Sequence, residues 1–186
     1  MNVIDAIRGR RSIKRFTDRP VAREQLARLI DAATLAPNHR LTQPWRFYVL
    51  GPQARAAYGA ALGARKARKL EDAAAAQAVR DKVAAEHAAL PAVIVVAMHE
   101  DESPEVREED YAATMMAVQN LALRAVELGL GTHIKTGAVM QDPAARAAAG
   151  VPAGERIVAV VNVGEPADVP DPRARRESAS LITWLD

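Results

Sequence analysis

The chain has no cysteine, few aromatic residues and almost no net charge. The absence of cysteine from all 186 residues excludes disulfide bonds, a thiolate nucleophile and cysteine-ligated metal sites. It is compatible with the reducing cytoplasm, which is where we expect this protein to reside. A net charge of +2 does not indicate a strongly cationic surface, so we expect no nucleic-acid partner. At 4% aromatic content each ring is conspicuous, but packing is its default role.

No segment indicates a membrane or export. The most apolar run, residues 88–98, contains Pro91 and is much shorter than the roughly 20 residues that a spanning helix needs. The first eight residues show neither a basic start followed by an apolar block nor a small-residue cleavage site. Length and a hydrophobic content of 49% predict one globular domain over residues 1–186.

Hydrophobic periodicity predicts the secondary structure. A short first helix should bury Val3, Ile4 and Ile7 and end at Gly9. Further helices are predicted over residues 22–35, 105–128 and about 143–149, and strands over 45–50, 92–98, 132–136 and 157–163. The pattern of residues 105–128 is apolar on most sides, which indicates burial in the centre of the protein or in a subunit interface. This order predicts an α/β protein with one central sheet between helices.

The stretch from residue 53 to residue 89 is rich in alanine and charged residues. It predicts one or two solvent-facing helices that are broken near Gly59 and Gly63, because glycine is a poor helix former. We expect no chemistry in this part of the chain.

A basic segment, Arg10-Arg11-Ser12-Ile13-Lys14-Arg15-Phe16, follows the first helix. Arg10, Ser12 and Lys14 are spaced by two, so in an extended chain they would point the same way. Cations and a hydroxyl group in this arrangement suit a phosphate group. By spacing alone, a solvated basic turn is the better explanation.

A second polar segment lies between Pro37 and Pro44, directly before a predicted strand. The prolines stiffen a loop that carries Asn38, His39 and Gln43, whose side chains could hydrogen-bond the edge of a flat polar ring. Such residues are also common in ordinary turns and caps. His39 is not predicted to bind a metal, because the other histidines show no paired spacing with it.

Taken together and in this order, the two segments resemble the nitroreductase family of FMN-dependent homodimers that oxidise NAD(P)H. The resemblance covers almost the whole chain, continuing through residues 129–137 and 163–166 to the arginines at 173–176. In its length and in the sequence of residues 38–45, the chain is similar to the short, minimal branch of that family. The resemblance implies a nitroreductase-like α/β (α+β) fold, with a central mixed sheet flanked by helices and a C-terminal segment that extends onto the partner subunit.

The resemblance also implies which residues bind FMN. The residues that match Arg10 and Ser12 bind the phosphate and ribityl chain, and the residue that matches Lys14 lies near N1 and O2 of the ring. A cation there stabilises the negative charge of the reduced ring. The complete set of predicted cofactor-binding residues is Arg10, Arg11, Ser12, Lys14, Asn38, His39, Gln43, Lys135, Thr136, Gly137, Arg173 and Arg175. No residue is predicted to act as a catalytic group, because the flavin carries the redox chemistry.

Two local features qualify this interpretation. Gly129-Leu130-Gly131 superficially suggests a dinucleotide-binding loop, but it follows a helix and lacks the third glycine, so a Rossmann fold is excluded. Ile134 stands where the proteins of the family often carry tryptophan, so the resemblance does not define the shape of the pocket next to Lys135.

The function implied is that of an oxidoreductase. NAD(P)H would reduce FMN by hydride transfer, and a nitroaromatic, a quinone or a similar small electron-poor acceptor would then take the electrons in a ping-pong sequence. The apolar end of the chain, residues 181–185, would dock on the partner of a homodimer. Two alternatives stay open: a protein of the same fold that sequesters flavin or uses it for other chemistry, and a nucleic-acid-binding protein that uses the basic runs.

Overall fold

The computed structural model describes residues 1–185. Along this part of the chain lie six α-helices, which are α1 (Val3–Gly9), α2 (Arg23–Thr34), α3 (Pro52–Ala67), α4 (Ala73–Ala88), α5 (Pro104–Glu127) and α6 (Pro143–Ala149). The four strands are β1 (Trp45–Val49), β2 (Ala92–His99), β3 (Gly131–Lys135) and β4 (Glu155–Gly164). Most elements begin and end within two residues of the positions that periodicity predicts. None of the helices in residues 1–185 has the length and apolarity that crossing a membrane requires.

The four strands form one sheet in the order β1-β2-β4-β3, and every pair of neighbours is antiparallel. The predicted α/β fold with a central sheet is confirmed. The expectation that this sheet is mixed is wrong for its four strands within one chain. The long crossover through α5 returns β3 parallel to β2, but β4 lies between them and pairs antiparallel with both. In residues 1–185 the only parallel pairing is an isolated bridge between Ser12 and Thr132.

Both faces of the sheet are covered, which is why the inner residues of β2 and β4 are almost all apolar. On one face, α2 and α5 pack against the sheet, with Leu29, Leu121 and Val161 fully buried between them. On the other face, Tyr58 of α3 packs with Val95 and residues of α6 in a second cluster. Strands that are buried on both faces lose the alternation of polar and apolar residues.

Helix α5 packs against the sheet, which is one of the two positions predicted for it, but it is buried on one side only. Ala117, Leu121 and Ala125 have no exposed surface, whereas Met116 on the opposite side is 41% exposed. The outward side of α5 is therefore uncovered within one chain.

The expected helix break near Gly59 and Gly63 is wrong. Both glycines lie inside α3 and face α4, and the chain instead turns between Ala67 and Ala73. A Cβ atom on Gly59 would lie 2.6 Å from Cβ of His87, so the glycines allow close contact between the two helices. Their role is packing between helices, which helix propensity does not describe.

The predicted buried face of α1 is also wrong. No residue of α1 is buried, and Val3, Ile4 and Ile7 are exposed. The C-terminal tail is similar, because every residue from 167 to 185 is exposed, including the apolar side chains of Leu181 and Trp184. Both segments extend apolar side chains into solvent within one chain.

Candidate functional site

The basic segment lies along the start of β3. The backbone N–H of Ile13 donates to the carbonyl oxygen of Thr132 at 2.9 Å, and Ser12 forms the bridge with the same residue. The side chain of Ile13 is buried, while Ser12 and Lys14 on either side of it are exposed. Gly131 makes this approach possible, because a Cβ atom there would collide with the side chain of Ile13. The alternating exposure of Ser12, Ile13 and Lys14 agrees with an extended chain, in which residues spaced by two point the same way.

His133 of β3 is partly buried, and the charges of two lysines act on it. Burial and the positive charges of Lys135 and Lys14 lower the pKa of His133. Burial, together with the charge of Lys66, also lowers the pKa of Lys135, and the carboxylate of Glu86 acts in the opposite direction. The lowered pKa favours the neutral form of His133. Of the predicted site residues, Ser12 and Lys14 therefore lie beside β3, and Lys135 is the last residue of β3.

Thr136 and Gly137 follow β3 directly and line a cavity of about 740 Å³. Gly137 has φ 126°, a conformation that favours glycine. The same cavity contains Tyr111 and Arg156, whose guanidinium carbon lies 4.9 Å from the centre of the tyrosine ring. This cation–π pair was not predicted from the sequence, because it arises only when α5 packs beside the first residues of β4.

The side chain of Arg11 points away from Ser12, Lys14 and Lys135. One terminal nitrogen of its guanidinium donates to the carbonyl oxygens of Arg8, at 2.5 Å, and Arg10, at 2.9 Å. The side chain lines a separate cavity of about 180 Å³ beside Val126 and Thr132. Of the predicted cofactor-binding residues in this segment, Arg11 is the one whose side chain donates hydrogen bonds to the end of α1.

The loop of residues 38–43 lies at the opposite end of the molecule. Its Thr42 contacts Asp110 near the start of α5, whereas Gly9 at the end of α1 contacts Val126 near the end of α5. Sixteen residues of α-helix at 1.5 Å each span about 24 Å. The structure therefore does not bring Asn38, His39 and Gln43 together with the basic segment of the same chain.

The pairing of the strands also separates the loop of residues 38–43 from the basic segment. Trp45, just after the loop, pairs with Met98, which pairs with Arg156 near the start of β4. Thr132, beside the basic segment, pairs with Val163 near the end of β4. The seven steps from residue 156 to residue 163 span about 23 Å of strand.

The loop itself is tied to α5 by three carboxylates. Glu109 lies 3.0 Å from Nδ1 of His39 and 2.8 Å from Nε of Arg40. Both contacts lower the pKa of Glu109, with the hydrogen bond from Arg40 as the larger cause. Glu105 accepts a second hydrogen bond from Arg40, and Asp110 accepts one from Thr42. The side chain of Gln43 is exposed.

The tail leaves the folded body beside the basic segment. The N–H of Ala167 donates to the carbonyl oxygen of Arg15 at 3.1 Å, and the Arg15 guanidinium pairs with Asp168 at 3.0 Å. Arg173 and Arg175 follow a few residues later and are exposed. The tail arginines therefore branch from the same end of the molecule as Arg10.

This fold, with helices on both faces of a β1-β2-β4-β3 sheet, is shared with solved structures of nitroreductase-like proteins. A crystal structure of a nitroreductase-like family protein from Bacillus cereus has the same fold, with a TM-score of 0.86 and 30% identity over 100% of this chain and 97% of the other. The chain belongs to the nitroreductase family, since the profile of the Nitroreductase family matches residues 7–165. The prediction of the family is confirmed, and the protein is an oxidoreductase.

Two further relatives extend this comparison. "Putative NAD(P)H nitroreductase YfhC" of Bacillus subtilis is 33% identical over 182 residues, which cover 97% of this chain and 93% of the relative. A nitroreductase from Desulfovibrio desulfuricans, crystallised in complex with FMN, has a TM-score of 0.76 and 28% identity over 100% of this chain and 98% of that one.

Proposed function

We propose that this protein is a homodimeric FMN-dependent oxidoreductase that uses NAD(P)H to reduce nitroaromatics, quinones or similar electron-poor acceptors. The observation that carries the proposal is the set of cations around β3. In residues 1–185, neither Arg10, Lys14 nor Lys135 forms an ion pair with a carboxylate. Cations without a partner in their own chain are available to bind an anion.

The chemistry of these donors fits FMN. Arg10, Ser12 and the tail residues Arg173 and Arg175 would hold the phosphate and ribityl chain, and Lys14 and Lys135 would face the ring. The close approach at Gly131 supports this, because it presents Ser12 and Lys14 on the exposed side of the strand. The Desulfovibrio relative, which is crystallised with FMN, has this fold.

Bound FMN would supply the redox chemistry by accepting a hydride from NAD(P)H and passing electrons to the acceptor. The residues of the chain would bind the flavin and influence the charge on its ring. Lys14 would place a fixed positive charge near N1 and O2, which favours negative charge on that edge of the ring. Ser12 would donate its hydroxyl hydrogen to the ribityl phosphate, and Arg10 would form a charge-assisted hydrogen bond to the same group.

The separation of about 24 Å along α5 supports the proposal of a homodimer. If Gln43 and His39 also contact the flavin, the loop that carries them has to come from the partner subunit. The uncovered apolar side chains of α1 and of the tail support a second copy of the chain as the partner. Each flavin would then lie between the basic segment of one subunit and the loop of the other.

The first test is the cofactor itself. The protein, purified as expressed and after incubation with FMN, should be yellow and should release FMN on denaturation, as identified by mass spectrometry. The release of FAD, or the absence of any flavin after incubation with FMN, would contradict the proposal.

The second test separates a shared site from a site within one chain. Arg10→Ala and Gln43→Ala subunits, each with a different affinity tag, are co-expressed, and the mixed dimer is isolated. A shared site gives the mixed dimer one site of wild-type affinity and one site with both substitutions. Two sites that each behave like a single variant would show that both segments act within one chain.

A further inference from the structure

Asp110 is a buried carboxylate with an unusual set of contacts. Its exposure is 3%, and in residues 1–185 no cation pairs with it. The hydroxyl of Thr42 donates to Oδ1 of Asp110 at 2.5 Å, and Nδ2 of Asn38 lies 3.5 Å from the same oxygen. A buried charge is costly unless it is hydrogen-bonded, so these contacts account for its position.

The loop that Asp110 contacts is strained. Leu41 has φ 52° and Gln43 has φ 45°, and in residues 1–185 these are the only residues other than glycine with a positive φ. Such conformations are unfavourable for residues other than glycine and persist only where the surroundings enforce them. Something outside the loop therefore has to stabilise this backbone.

A chain of hydrogen bonds connects the strained backbone to Asp110. The N–H of Gln43 donates to Oδ1 of Asn38 at 2.7 Å, and Nδ2 of Asn38 donates to the Thr42 hydroxyl at 3.1 Å. The Thr42 hydroxyl donates in turn to Asp110. Hydrogen bonds in series polarise one another, and a carboxylate is the strongest acceptor at the end of such a series.

This network leaves specific groups free to contact a ligand. The Gln43 side chain takes no part in it, and Leu41 is 78% exposed. His39 uses Nδ1 for Glu109, which leaves Nε2 available. The loop thus presents an amide, an imidazole nitrogen and an apolar side chain outwards.

We propose that Asp110 is a positioning residue that fixes the strained loop of residues 38–43, so that His39 and Gln43 contact the flavin bound by the partner subunit. This inference rests on the proposed function. Asp110 touches no reacting atom and acts through Thr42 and Asn38.

The control is Asp142, the other buried carboxylate in residues 1–185. It is 7% exposed, and its Oδ1 accepts the N–H of Ala144 at 3.1 Å at the start of α6. Asp142→Asn should lower the stability of the fold without changing the loop. It therefore reports what the loss of a buried carboxylate does by destabilisation alone.

The experiment compares Thr42→Val, Thr42→Ser, Asp110→Asn and Asp142→Asn with the wild type. Hydrogen exchange of the Gln43 amide is measured on the protein without flavin, and the FMN dissociation constant and visible circular dichroism are measured on the loaded protein. For Thr42→Val we expect at least about tenfold faster exchange at Gln43, about tenfold weaker FMN binding and an altered flavin dichroism. Thr42→Ser should restore all three, and Asp110→Asn should lie between them.

Each outcome has a definite meaning. Wild-type exchange in Thr42→Val, or an equal change in Asp142→Asn, would overturn the positioning role of Asp110. Faster exchange with unchanged FMN binding and dichroism would overturn the contact between loop and flavin. If no variant and no wild-type protein binds FMN, the exchange data still decide whether Asp110 fixes the loop, while the proposed function fails.

Discussion

A Cβ atom on Gly63 would lie 2.9 Å from both Cα and the carbonyl oxygen of Arg80, so α3 and α4 meet backbone to backbone at this point. Neither helix backbone can shift to make room without a cost in free energy. We therefore expect Gly63→Ala to lower the free energy of unfolding by about 1–3 kcal/mol, the usual cost of overpacking. Urea denaturation followed by circular dichroism measures this change.

Gly51→Ala is the matched control, because a Cβ atom there would meet nothing within 4 Å. Gly51 precedes the first residue of α3, where alanine is a poorer cap than glycine, so a loss below about 1 kcal/mol is expected. Equal losses in the two variants would show that the contact with Arg80 does not matter.

Acid should destabilise the fold through His87. Burial is the main cause that lowers the pKa of His87 below its ordinary value of 6.5, and the charges of Lys135 and Lys66 add to it. As the pH falls through about 6.5, the unfolded chain binds a proton at this histidine and the folded chain does not. The free energy of unfolding should then decrease by up to about 1.4 kcal/mol per pH unit for this group.

The measurement is urea denaturation at pH 7.5 and pH 5.5 for the wild type, His87→Gln and His99→Gln. His99 is exposed, so its replacement serves as the control. His87→Gln should show a shallower loss of stability with acid than the other two proteins. Three equal slopes would rule out a contribution from His87.

Lys14→Gln should change the redox potential of the bound flavin. Removal of the charge near N1 and O2 should lower the midpoint potential by about 30 mV, which is a tenfold change in the equilibrium constant for two-electron reduction. Reduction by NAD(P)H should be slower at saturating FMN. Lys82→Gln, which changes an exposed lysine on α4, should match the wild type. Equal potentials in all three proteins would refute the role of Lys14.

Arg10→Ala should act on binding and leave the chemistry unchanged. The loss of a charge-assisted hydrogen bond to the phosphate should weaken FMN binding by about 10- to 100-fold. Turnover per bound flavin should remain close to that of the wild type. Fluorescence titration with FMN measures the first quantity and steady-state kinetics at full occupancy measures the second. Arg80→Ala is the control, and a wild-type dissociation constant for Arg10→Ala would place the phosphate elsewhere.

Deletion of residues 172–186 should weaken both the dimer and the retention of FMN. The deletion removes the apolar side chains at the end of the chain together with Arg173 and Arg175. Light scattering over a range of concentrations, combined with the flavin-to-protein ratio after gel filtration, tests both effects. A shortened dimer that keeps its full flavin content would contradict this prediction.

The individual helices and strands could be predicted because the sequence patterns that specify them lie within each element. Gly129 marks the end of α5 and has φ 71°, and the apolar run of residues 92–98 is a strand with both faces buried. Each of these depends on neighbours within a few residues in the chain.

The errors concern contacts between distant residues. Considered with their neighbours in the sequence alone, Gly59 and Gly63 predict a helix break. Their role in packing is visible only when α4 lies against α3. The order of the two polar segments in the chain does not reveal that they lie at opposite ends of α5, because this depends on how helix and sheet pack. The partnership of Thr42 with Asp110 joins residues 68 positions apart and leaves no periodic signal.

The straight run of α5 between these two ends limits where the chain can change in length. One residue inserted between Asp110 and Val126 would lengthen the helix by 1.5 Å and rotate everything beyond it by about 100°. Asp110 would then no longer face Thr42 while Val126 still faced Gly9. The exposed turn of residues 68–72 has no such constraint, so additional residues or a fused peptide belong there and not in α5.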